Sequence, residues 1–146
     1  MPVVNGCNLP DDLLYDVANN LWYRPEGDGT FTVGMTMIAT GMAGALVAFT
    51  AKKVGKTIEG GKSVATVESG KWVGPAKIGF NVEIVAVNDT LTANPKLANT
   101  DTYGEGWMVR VKPVEAGADA ILTPGSAVAA PYAAKMAADN FAGCAA

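Results

Sequence analysis

The sequence contains no histidine. That absence removes the Ser-His and Cys-His couples, the imidazole metal ligand and the one unperturbed side chain that titrates near neutrality. Cysteine is scarce too: Cys7 and Cys144 lie near opposite ends, too few to build a zinc site. Charged residues make up only 17%, and the net charge is −3. No basic stripe is present, and the three tryptophans are not interleaved with Arg or Lys, which argues against a nucleic-acid partner. No run of about eighteen apolar residues occurs, so no segment reads as a membrane span. Met1–Leu14 has no Lys or Arg and no continuous apolar core, which predicts no secretory signal and a cytoplasmic location. With most catalytic repertoires removed, the chain does not read as an enzyme in its own right.

What is there is a 146-residue chain with 49% hydrophobic residues and 17 glycines, enough for one domain with its own core. Thr30–Thr36 ("TFTVGMT") alternates apolar and polar residues after the turn "PEGDG", as a half-buried strand does. "TMIATGMAG" (Thr36–Gly44) fits a short helix ending at a glycine. Ala45–Ala51, Val82–Val87 and Trp107–Lys112 read as further strands, and "NDTLTANPKLANTDTYGEG" reads as a loop. The Ala-rich stretch from Ala127 to Ala142 reads as a C-terminal helix. Many short strands with glycine-rich turns predict a mainly β protein, a small antiparallel sandwich or flattened barrel.

"EGGKSVAT" superficially suggests a phosphate-binding loop. The first glycine of that template falls on Lys56, and a strand rather than a helix follows, so Gly60-Gly61 is read as a turn. The stretch "SVATVESGKWVGPAKI" (Ser63–Ile78) is more informative. It places two alternating runs either side of Gly70-Lys71, a hairpin with a lysine at its tip. Glycine followed by any residue suits a type II′ turn. An exposed lysine taken alone is an ordinary solvated charge.

"VESGKW" resembles the Glu-Ser-x-Lys lipoylation site of glycine-cleavage H proteins. The resemblance continues through "DGTFTVGMT", "VGKTIEGGKSVATVES" and "EIVAVNDTL…NPKLANTDTYGEGW", in the H-protein order from Leu14 to Lys112. It implies a lipoyl-domain barrel-sandwich hybrid of two small antiparallel sheets with short helices. The whole chain, 1–146, would be one such domain, with residues 1–13 as an N-terminal extension and 113–146 as a C-terminal helical segment. Lys71 would carry lipoate as an amide, and Glu68, Ser69 and Gly70 would form the setting a modifying enzyme recognises. The arm would be loaded by a lipoate ligase or lipoyl synthase and reoxidised or reduced by a dihydrolipoamide dehydrogenase.

The chain also departs from the H-protein pattern. It reads Asn20-Leu21-Trp22 where H proteins carry His-Glu-Trp, Gly70 and Trp72 flank the lysine, and Val82, preceded by Asn81, stands where a glycine is usual. These departures are expected around the arm and its docking face. "GCNLPDDLLYDVANNLW" and "ATVESGKWVGP" resemble the lipoate-binding proteins of sulfur-oxidising prokaryotes. That likeness implies a carrier of sulfur intermediates, working with a heterodisulfide-reductase-like complex. Glycine cleavage, with an aminomethyl cargo, is the alternative, and an unmodified binding module is another. Trp72 has two readings, a cross-strand packing partner or a shelter for the dithiolane. Cys7 and Cys144 are expected as ordinary cytosolic thiols, the sharper alternative being a redox-active pair or a thiol that trades sulfur with the arm. Met35, Met37 and Met42 are expected as core filler. The carboxylates Asp11, Asp12, Asp101 and Glu105 are expected in solvent.

Overall fold

The computed structural model describes residues 3–144. Its framework is β. The first strands, β1 (Val3–Val4) and β2 (Cys7–Asn8), form a small hairpin of their own. Next come β3 (Leu14–Asp16), β4 (Leu21–Pro25), β5 (Phe31–Met35), helix α1 (Met37–Ala43) and β6 (Leu46–Ala51). They are followed by β7 (Thr57–Ile58), β8 (Ser63–Ser69), β9 (Val73–Lys77) and β10 (Val82–Val87). Helices α2 (Asp89–Ala93) and α3 (Leu97–Thr100), strands β11 (Val109–Pro113) and β12 (Thr123–Pro124), and helix α4 (Ala129–Ala138) complete the chain.

Among the described residues every strand pair is antiparallel. One sheet runs β12-β3-β4-β5-β11-β10-β7 and the other β6-β8-β9. Their inner faces meet in one core, with Val33, Ile84 and Val111 from the larger sheet against Phe49, Val64 and Val67 from the smaller. Burying apolar side chains on alternate positions is what turns the period-2 pattern into two faces. The fold is the mainly β lipoyl-domain sandwich that the sequence suggests.

Helix α1 forms where expected. Thr36 Oγ1 accepts the Ala39 N–H at its start, and Gly44, at φ 85°, ends it with its N–H on Thr40 O. The stretch read as a loop after Val87 instead holds α2 and α3. Asn88 organises it by donating both amide hydrogens, to Glu105 O and Trp107 O, while its backbone carbonyl receives the Leu91 N–H. Both helices are too short for a periodic signal to emerge from the Asn and Pro punctuation. The C-terminal helix is shorter than the 127–142 reading and buries Tyr132 and Met136, one turn apart, against a second core with Ile38, Leu9 and Tyr15.

Cys7 and Cys144 are not separate thiols. They are joined by a disulfide across a sequence separation of 137, with Cα atoms 5.1 Å apart. The β1–β2 hairpin turns Cys7 inward to 0% exposure, and the chain after α4 runs back beside it, the Cys144 N–H donating to Asn5 O at 3.0 Å. Only tertiary folding brings the two ends together, so spacing alone gave no hint of the bond. Asp101 is exposed, and its carboxylate accepts the Glu105 N–H at 2.9 Å.

Candidate functional site

Strands β8 and β9 form the hairpin that carries Lys71. Ladder pairing ends at Glu68 and Val73, after which the Ser69 N–H donates to Trp72 O at 2.7 Å. Ser69 Oγ, on a buried side chain, accepts the Lys71 N–H at 3.3 Å. Serine bonding two residues ahead holds the turn. The expected type II′ geometry is absent, because it requires a left-handed first residue and Gly70 is not in that region. Ser69 is thus a structural element of the tip, whereas Glu68 and Gly70 beside it are exposed.

Lys71 is exposed, and among the described residues no hydrogen bond or ion pair holds its amine. Its stem folds toward the end of α1: a Cβ built on Gly44 would stand 3.4 Å from Lys71 Cε. The connection beneath is fixed by Asn99, whose Oδ1 accepts the Leu46 N–H and whose Nδ2 donates to Gly44 O, both at 2.9 Å. A free amine therefore stands on a rigid floor.

Beside the tip lies a cleft of about 310 Å³. Trp72, Val67, Pro75 and Ala76 of the hairpin form one wall. Ala39, Met42 and Ala43 of α1 form another, and Ala18–Leu21 with Met35 close it. The volume is at the lower end of small-ligand pockets. Trp72 is 41% exposed and its indole lies over Gly74, where a Cβ would collide with it. It is both a packed hairpin residue and a cleft wall. Met35 is core, but Met42 faces the cleft. Asn20 takes φ 58°, accepts the Thr36 N–H on its backbone oxygen, and leaves its buried Oδ1 without a partner among the described residues.

The departures from the H-protein pattern do not all gather here. Gly70 and Trp72 are at the tip, and Asn20 is in the cleft wall. Asn81 and Val82 are at the other end of the hairpin. Val82 is 0% exposed and pairs with Ile58 and Pro113, while Asn81 Oδ1 accepts the Gly60 N–H. That region adjoins Ser63 and Lys77, where the hairpin begins, and β8 carries the chain roughly 20 Å from there to Ser69. The expectation that these two residues flank the arm is corrected: they support the sheet. Sequence reasoning also missed Gly44, Gly74 and Asn99 as parts of the site. The run of small residues in "TMIATGMAG" was the one available signal for a cleft floor.

A family model described as glycine cleavage H-protein matches residues 13–133. The chain belongs to the glycine cleavage H-protein family. Glycine cleavage system H protein 5 of Aquifex aeolicus is 54% identical over 77% of this chain and 78% of its own length. Probable glycine cleavage system H protein 2 of Sulfurisphaera tokodaii is 44% identical over 77% of each chain. The crystal structure of a glycine cleavage system H protein from Mycobacterium marinum superposes with a TM-score of 0.73 at 32% identity, covering 88% of this chain and 98% of that one. Members of this family are lipoyl carriers rather than enzymes: a lysine holds lipoate covalently, and the members work with a lipoate ligase and the glycine cleavage enzymes. Among the described residues no helix is long and apolar enough to cross a membrane.

Proposed function

We propose that this chain is a lipoyl carrier with its attachment site at Lys71, serving a cytoplasmic sulfur-oxidation pathway. The observation that carries the attachment is the unheld amine of Lys71 at the Ser69–Trp72 turn, beside a cleft walled by Trp72. The tip fits an acyl group there: the amine is exposed, and the absence of a Cβ at Gly44 leaves room for the stem. Once amide-linked, lipoate supplies a cyclic disulfide that exchanges with thiols and takes two electrons.

The chain's own residues do the rest. Ser69 fixes the turn and holds Lys71 outward. Glu68 and Gly70 present an open approach for a ligase, and exposed Val73 and Val47 add apolar surface near it. Trp72 and the α1 residues Met42 and Ala43 offer an apolar wall that excludes water from whatever lies against them. Tethering keeps the cargo at high local concentration while partner enzymes perform the chemistry.

Support for sulfur cargo comes from Gly70, Trp72 and Asn20, which change the H-protein pattern at the tip and the cleft. Partners would be a heterodisulfide-reductase-like complex and a dihydrolipoamide dehydrogenase. The second reading, an aminomethyl carrier in glycine cleavage, is favoured by the names of the relatives and rests on equal footing in family membership. Glycine–bicarbonate exchange with standard glycine decarboxylase separates them. The sulfur reading expects loaded protein to support no exchange, and deletion of the gene to block thiosulfate oxidation while leaving growth on glycine intact. Exchange at rates typical of the family would establish the second reading instead.

A further inference from the structure

We propose that the Cys7–Cys144 disulfide is an internal redox partner of a dithiol carried at Lys71, an inference that rests on the reading of Lys71 as the lipoyl site. The disulfide takes two electrons and two protons and opens to two thiols. The donor is a 1,3-dithiol, which gives up its two S–H hydrogens and closes to a cyclic disulfide. The exchange balances with no other reagent.

Helix α1 brings the two centres together. A Cβ built on Gly41 would stand 3.4 Å from Cys144 Sγ, and one on Gly44 would stand 3.4 Å from Lys71 Cε. These glycines are three residues apart, Gly41 within the helix and Gly44 at its end, which puts their Cα atoms about 5 Å apart. With about 1.5 Å from each Cα to its Cβ, Lys71 Cε and Cys144 Sγ lie within roughly 15 Å of each other. An eight-carbon acyl chain on the lysine amine carries its sulfurs about 10 Å further at ordinary bond lengths, and the lysine stem adds its own swing. Gly41 is exposed, and the ring of Phe141 stands beside it, its Cζ 3.0 Å from a Cβ built there, so the arm passes next to that ring.

The two sulfurs are also unequal. Cys7 is fully buried, whereas Cys144 is half-buried on the returning tail. Thiol–disulfide exchange needs access to one sulfur only, with the other leaving. Cys144 is the sulfur attacked and Cys7 the one released. A disulfide in a reducing compartment is usually transient, catalytic or redox-sensing rather than a permanent staple. The pair would let the carrier hold two reducing equivalents apart from its arm.

The test uses the full chain purified without reductant and loaded by a lipoate ligase, with loading at Lys71 confirmed by peptide mass. NADH and dihydrolipoamide dehydrogenase are added, thiols are trapped with iodoacetamide at intervals, and alkylation of Cys7 and Cys144 is counted by mass. Unloaded chain and Lys71→Arg are run alongside. The expected result is opening of Cys7–Cys144 in loaded chain about tenfold or more faster than in either control, at a rate independent of protein concentration. An arm that becomes alkylated while Cys7–Cys144 stays closed overturns the inference and leaves the carrier reading standing. So does opening at the same rate in Lys71→Arg, or a rate that rises with protein concentration. A chain that accepts no lipoyl group at Lys71 overturns both.

Discussion

The indole of Trp72 lies across Gly74, so closely that a Cβ on Gly74 would stand 2.6 Å from Trp72 Cη2. Three residues after Lys71, a glycine thus sets the orientation of the cleft's aromatic wall. Replacing it by alanine forces the ring off the sheet. Gly74→Ala is expected to cost about 1–3 kcal/mol, as overpacking does, and to move tryptophan emission to longer wavelength as Trp72 enters water. In Trp72→Ala the same substitution has nothing to collide with. A double-mutant cycle should therefore give a coupling of about 0.5–3 kcal/mol, and strictly additive costs would show that the two residues do not meet.

Lys71→Arg tests the attachment site without disturbing the fold. The side chain is exposed and its amine has no partner among the described residues, so stability should stay within about 0.5 kcal/mol of the parent. Intact mass after incubation with ligase, ATP and lipoate should show no addition. Lipoyl found on Lys62, Lys77 or Lys112 would place the site elsewhere.

Trp72 also stands next to the Lys71 amine, the proposed target of a ligase. A ligase that matures other members of the family is expected to load this chain slowly, and Trp72→Ala should raise the rate about threefold to tenfold, roughly 1 kcal/mol of barrier. Val82, fully buried at the far end of the hairpin, should have no part in this. Loading of the parent at the rate of a family member with alanine after the lysine would show that the indole is no obstacle.

The hairpin and the long strands were legible because they alternate. Phe31–Met35, Leu46–Ala51 and Val82–Val87 all lie within the stretches read as strands, and α1 was framed by Thr36 and Gly44. The two-residue strands, β3 and the helices α2 and α3 were not, since none is long enough for a period to show. Nor was β4, because Leu21, Trp22 and Tyr23 are buried in succession without alternation. Lys71, the proposed attachment site, could be singled out by its local setting. The cleft could not, because Ala39, Met42 and Asn20 come from separate segments that only the sheet packing brings together. The misplacement of Asn81 and Val82 has the same origin: distance along the chain from Lys71 says nothing of which end of a hairpin a residue occupies.

Three buried tyrosines and the half-buried Tyr103 predict how the fold fails in alkali. Burial is the first cause raising the hydroxyls of Tyr15, Tyr23, Tyr103 and Tyr132. Tyr103 is pushed up to about 12, the Met37 N–H pulling partly in the other direction. Its Oη accepts that N–H at 3.0 Å and donates to Asn8 O at 2.5 Å, tying α1 to the N-terminal hairpin. An unfolded tyrosine ionises near 10. Between about pH 10 and 12 the unfolded chain therefore binds fewer protons than the folded one, and stability must fall as pH rises. Below pH 10 this contribution is fully present. For Tyr103 the loss across that window is roughly 2–3 kcal/mol at about 1.4 kcal/mol per unit. The melting temperature should be flat from about pH 7 to 9 and drop steeply above 10. Tyr103→Phe should start lower, having lost two hydrogen bonds, yet decline with a shallower slope. A parent melting temperature unchanged at pH 11.5 would mean that these hydroxyls reach solvent without unfolding.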